Sequence, residues 1–196
     1  MASIPSEQLG VLSTKTSETL QTFPVPSPGP GEVLIQNVAV ASNPKDWKVH
    51  LFIENYSAIE GNDVAGIIVK VGEGVTEYKG GERVAAFSIM YSGNNKASSS
   101  YVTFACILTE RFVCMQYGAY AQYTVAPAET TFPIPESTSF DEAATLPLAV
   151  GTAFIGLFKR LGIPEKPSGT STSLRISLFA GVLIWLRKKV NRKVLS

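Results

Sequence analysis

Gly61-Asn62-Asp63-Val64-Ala65-Gly66-Ile67-Ile68-Val69-Lys70-Val71-Gly72-Glu73-Gly74-Val75 decides how the chain is read. From Val64 to Val71 the run is apolar and rich in β-branched residues, which suits a strand. Gly61 and Gly66 sit among small residues, so a second backbone can pass closely there. Gly72-Glu73-Gly74 closes the run as a turn. A second strand is expected at Arg83 to Phe87, after the polar Glu77-Tyr78-Lys79-Gly80-Gly81-Glu82.

Upstream, residues 2–23 are polar with scattered apolar positions and predict one edge strand or two. Pro24-Val25-Pro26-Ser27-Pro28-Gly29-Pro30-Gly31 is a stiff, turn-rich link. Residues 32–41 alternate and then run apolar through Val33, Ile35, Val38 and Val40, as a strand does. Asn43 precedes Pro44 and is steered away from helix, so the chain breaks there into a short helix or turn, Asn43-Pro44-Lys45-Asp46-Trp47-Lys48. Residues 50–60 are expected to loop over the mouth of a site. Downstream, a further strand is expected at 118–125 and a turn at 131–135. Ser139 can cap a helix whose first turn holds Asp141 and Glu142. A second helix is expected after Pro147, running to about Leu161 and ended by Gly162 and Pro164.

At 196 residues, the length prior is one domain and part of another, and 45% apolar content is enough for a sizeable core. A net charge of +1 offers no field for nucleic acid or an anionic membrane. Two cysteines, Cys106 and Cys114, make neither a disulfide framework nor a four-ligand zinc site. The first twelve residues lack a basic region followed by an apolar core, so the expected location is cytoplasmic. No G-x-G-x-x-G follows any expected strand. The apolar stretch at 176–186 is eleven residues, short of the ~20 that span a bilayer. The tail is therefore read as a premature or frame-shifted end before it is read as an anchor.

Taken together and in order, several of these segments resemble the zinc-independent branch of the medium-chain dehydrogenase/reductase superfamily. They are Pro28-Gly29-Pro30-Gly31-Glu32-Val33-Leu34-Ile35, Asn43-Pro44-Lys45-Asp46-Trp47-Lys48, the Gly61–Val75 stretch, and residues 141–154. The nearest likeness is to trans-acting enoyl reductases and quinone oxidoreductases. The resemblance implies a mainly β fold with some α, a GroES-like partly open β-barrel whose companion Rossmann domain is missing. It places that domain at 6–164. Residues 97–116 have no family counterpart and read as an insertion or a retained intron, and 165–196 form a tail outside the family pattern.

Zinc-dependent members hold the metal through a cysteine and a histidine at positions that match Asn43 and Asn62 here. Carboxamides are poor zinc ligands, and the single histidine, His50, lies elsewhere, so no metal is expected. Alcohol oxidation needs a Lewis acid; reducing a double bond conjugated to a carbonyl does not, because hydrogen bonds can hold the enolate oxygen. The resemblance thus implies NADPH-dependent reduction of an activated carbon–carbon double bond, with quinone reduction as the alternative. A third reading is a catalytically dead barrel that serves as a binding module. The implied partners are an enoyl or quinone small molecule and a polyketide synthase acting in trans, with self-association through an exposed interdomain face. Lacking the phosphate loop, the chain is expected to be truncated, to bind no cofactor tightly and to be inactive alone.

The resemblance implies site residues too. Lys45, Asp46, Trp47 and Lys48 would border the cofactor, with Lys48 catalytic by orienting a carbonyl or supplying a proton. Thr152 would meet the nicotinamide carboxamide, and Ala153, Phe154 and Leu157 would line the substrate channel. The plainer readings are a solvated polar turn at 45–48, a buried Thr152 bonding its own helix, and packing roles for Phe154 and Phe158. Asp63 could brace Lys48 or Arg83 as an ion pair.

Overall fold

The computed structural model describes residues 3–53, 56–88 and 117–161. The segment at 97–116 and the tail at 165–196 lie outside the described residues, as does the expected end of the last helix at Gly162. The chain divides into two compact units, Met1–Leu148 and Ala149–Ser196.

The first unit is mostly strand. In order come β1 (Glu7–Thr14), β2 (Glu18–Pro24), β3 (Glu32–Ala41), α1 (Val49–Phe52), β4 (Ser57–Ile59), β5 (Asp63–Val71) and β6 (Arg83–Phe87). After these come β7 (Tyr123–Pro127), β8 (Thr131–Pro133) and α2 (Phe140–Ala144). They form two antiparallel sheets, β2-β1-β4 and β7-β3-β5-β6-β8, which do not close into a barrel.

β5 lies at the centre of the larger sheet and is covered on both faces. Val64 and Ile68 pack with Val33, Ile35 and Val84 on one side. Ala65 packs with Ala85, Ala143 and Ala144 of α2 on the other. Burial on both faces explains why β5 reads as a continuous apolar run rather than an alternation. β3 needs two register irregularities to follow β5, and Gly66 lies opposite the second, at Asn37. A Cβ at Gly66 would come within 2.0 Å of the Gln36 carbonyl oxygen, so the close approach expected there is real.

α2 begins as its sequence requires. The Ser139 hydroxyl accepts from the Glu142 N–H, and the Glu142 carboxylate accepts in return from the Ser139 N–H, a full capping box. The Glu142 carboxyl is held below its usual range by these Ser139 bonds.

Two expectations are corrected. Residues 50–60 are not one loop: α1 occupies 49–52, and Ser57–Ile59 pairs with the end of β1, Leu12 opposite Ile59. The strand expected at 118–125 starts only at Tyr123. Ahead of it, the Asn37 side chain donates to the Ala119 carbonyl (3.0 Å) and the Ala121 carbonyl (2.8 Å), which takes those acceptors out of a regular ladder.

α3 (Pro147–Phe154) continues as a π-helical stretch, Ile155–Arg160. By length and composition alone, the helical run Phe140–Arg160 could cross a membrane, at a mean hydropathy of 1.2. Within the second unit, Phe154, Ile155 and Leu161 are exposed, and the Phe154 and Phe158 rings stand 4.8 Å apart.

Candidate active site

The turn after β3 is built by its own side chains. Pro44 keeps Asn43 extended, and the chain then turns back so that the Asp46 and Lys48 N–H groups reach the Asn43 and Lys45 carbonyls (both 3.0 Å). Asp46 is buried, and its Oδ2 accepts from the Asn43 N–H (2.8 Å) and from the Tyr120 hydroxyl (2.9 Å). Its Oδ1 lies 2.9 Å from Lys45 Nζ. The same ammonium stands 3.2 Å from Oε2 of Glu60, which is 0% exposed and takes the Tyr56 hydroxyl on Oε1. Lys45 is thus shared between two buried carboxylates, the arrangement that makes such burial tolerable. Burial pushes the Tyr120 phenol well above its ordinary range; a Ser42 bond opposes this and Asp46 reinforces it, so Tyr120 serves Asp46 as a neutral donor.

Asp63 is a further buried carboxylate beside this turn. Its Oδ2 accepts from Asn43 Nδ2 (2.9 Å) and its Oδ1 from the Leu148 N–H at the start of α3 (2.9 Å). The ion pair expected with Lys48 or Arg83 is therefore replaced, because amide donors take both oxygens. Arg83 instead donates to the Thr138 carbonyl (2.7 Å) and lies over the Phe140 ring, while Lys48 lies 4.8 Å from the centroid of Trp47. Burial pushes the Asp63 carboxyl up to about 6, against the opposing Asn43 and Leu148 bonds.

The two positions weighed as zinc ligands have other work. Asn43 turns its N–H donors to Asp63, and buried Asn62 donates to the Ser88 carbonyl (2.5 Å). Among the described residues, no group of three His, Cys, Asp or Glu side chains is placed to hold a metal.

Of the expected site residues, Lys45 and Asp46 join in one hydrogen-bonded cluster, while Trp47 and Lys48 project from the same turn into solvent. Thr152, Ala153, Phe154 and Leu157 belong to the second unit. There Thr152 is exposed rather than buried, Ala153 and Leu157 are half-buried, and Phe154 is exposed. Sequence reasoning missed Glu60, Tyr56 and Tyr120 as members of the cluster. Glu60 stands next to Gly61, whose φ of 91° is open to glycine, and an acidic residue directly before the deciding stretch was the available signal.

Residues 29–136 match the alcohol dehydrogenase GroES-like domain. The chain belongs to that family. This GroES-like chain is 34% identical over 163 residues to the trans-enoyl reductase fsr4 of Gibberella fujikuroi, covering 83% of the chain and 40% of the relative. It is 39% identical over 136 residues to the trans-enoyl reductase tndF of Aspergillus flavipes, covering 66% of the chain and 34% of that protein. The quinone oxidoreductase of Coxiella burnetii shares the fold, with a TM-score of 0.58 at 22% identity over 78% of this chain and 45% of that one. The GroES-like chain therefore spans less than half the length of these relatives.

Proposed function

We propose that the GroES-like domain serves NADPH-dependent reduction of a carbon–carbon double bond conjugated to a carbonyl, without zinc. One observation carries the reading. The two family positions that would ligate zinc are carboxamides, and their donor groups face a carboxylate and a carbonyl. Such a site has no Lewis acid of its own, and reducing an activated double bond needs none.

The exposed turn fits one end of the cofactor. Trp47 is 55% exposed and Lys48 lies beside it, so the turn offers an apolar plate and a cation together. When bound, NADPH would supply the hydride. Lys48 would orient the substrate carbonyl or deliver a proton, Trp47 would shield the reacting face from water, and the Asp46–Lys45–Glu60 cluster would hold the turn rigid. Thr152 would meet the carboxamide, and Ala153, Phe154 and Leu157 the acyl chain. The 196 residues contain no G-x-G-x-x-G motif of the kind whose amides cradle a diphosphate. We therefore expect these residues alone to bind NADPH weakly and to be inactive. The similarity to trans-enoyl reductases supports a polyketide synthase as partner.

The test is NADPH titration by fluorescence on the 196-residue chain and on the same chain joined to a relative's dinucleotide-binding domain. The expected result is saturation and enoyl thioester turnover only for the joined protein, lost in Lys48→Met. Turnover of quinones but not enoyl thioesters would replace this reading with quinone reduction. Turnover of neither would favour a binding module.

A further inference from the structure

We propose that Asp63 is a proton-sensitive positioning residue: its ionised carboxylate holds the Asn43 side chain and the first turn of α3, and protonation turns the Asn43 amide over. Its use in catalysis rests on the reductase reading above, because Asn43 begins the turn that carries Lys48; its structural test does not.

The argument is one of donors and acceptors. Asp63 is 1% exposed, and both of its hydrogen-bond partners donate: Asn43 Nδ2 to Oδ2, and the Leu148 N–H to Oδ1. An ionised carboxylate satisfies two donors; a neutral carboxyl brings a hydrogen of its own, which must find an acceptor. The Leu148 N–H cannot reverse. The Asn43 amide can, since rotation about its last bond exchanges Nδ2 for Oδ1. Protonated Asp63 then keeps Leu148 on its carbonyl oxygen and donates to Asn43 Oδ1. The Asn43 backbone N–H stays on Asp46 Oδ2, so the change is confined to one side chain.

The surrounding charges permit this within an accessible range. From the 43–48 turn, Asp46 favours the protonated form and Lys45 opposes it, with Lys45 itself shared between Asp46 and Glu60. On the neighbouring β6 the charged residue is Arg83, which is engaged with Thr138 and Phe140. The first turn of α3 brings no acid. Burial is the leading influence, and it places the transition at about 6.

The experiment follows the full 196-residue chain, labelled with ¹³C and ¹⁵N, by NMR between about pH 4.5 and 7.5. The Asp63 ¹³Cγ, the Asn43 side-chain amide and the Leu148 backbone amide are expected to titrate together with a midpoint near 6. Below it the Asn43 amide protons should shift upfield as their carboxylate acceptor is lost, while Leu148 stays hydrogen-bonded. In Asp63→Asn, which is neutral at every pH, the Asn43 and Leu148 transitions should vanish. Asn43 signals that stay flat while Asp63 titrates would overturn the proposal. So would an Asp63 ¹³Cγ with no transition in this range, or transitions unchanged in the variant. If the variant does not fold, the wild-type titration decides alone, and neither outcome depends on reductase activity.

Discussion

Lys45 Nζ lies 3.2 Å from Oε2 of Glu60, a carboxylate with no solvent exposure, and this pairing separates Lys45 from its neighbour Lys48. One lysine of the turn neutralises buried charge; the other extends over Trp47 at the surface. Lys45→Met should therefore destabilise the fold by about 2 kcal/mol, between the values for an exposed pair and a broken buried one. Lys48→Met should stay within about 0.5 kcal/mol of wild type. Urea midpoints of the two variants check this, and equal losses would contradict the division of labour.

Two glycine substitutions should have opposite signs. Gly66→Ala drives a Cβ to 2.0 Å from the Gln36 carbonyl, in a sheet that cannot separate there, and should cost about 3 kcal/mol. Gly151 is exposed within α3 and meets nothing within 4 Å, so Gly151→Ala should stabilise its helix by about 0.5–1 kcal/mol. Thermal melts compare the pair directly.

Asp63 gives stability a pH dependence of defined sign. Its folded value of about 6 lies above the ordinary 3.8, so the folded state binds the proton more tightly. Its contribution is greatest below 3.8, declines as pH rises towards 6 and is constant above. The stability difference between wild type and Asp63→Asn should therefore change across that window and nowhere else. A constant difference from pH 4 to 7 would show that the carboxyl titrates normally, near about 4.

The apolar residues of the last helical stretch should make the isolated chain self-associate. Phe154, Ile155 and Leu161 are exposed, Leu161 at 72%. Light scattering should show assembly that grows with concentration, together with binding of a hydrophobic dye. Phe154→Ser with Leu161→Ser should reduce both. A monodisperse wild type that binds no dye would count against the idea.

By itself the sequence determined the strands whose signal is local and strong. β3 and β5 were legible because their apolar runs exceed what a turn carries, Gly66 because only a close backbone approach explains it, and α2 because Ser139 and Glu142 satisfy each other within four residues. The carboxamides at Asn43 and Asn62 likewise spoke from residue type alone. Tertiary structure decided whatever depends on a distant partner. The three-residue β4 exists because β1, some 45 positions earlier, offers it a ladder. Residues 118–122 make only an isolated bridge, Gly10 to Ala121, and the distant Asn37 side chain takes the Ala119 and Ala121 carbonyls. Lys45 and Lys48 look alike in sequence, and only the folded turn sends one ammonium to Glu60 and the other to solvent. For Asp63 the sequence suggests an ion pair, because charge is visible there. Its actual partners are a backbone N–H and a side-chain amide brought from 85 and 20 residues away, and such neutral donors leave no mark until the chain has folded.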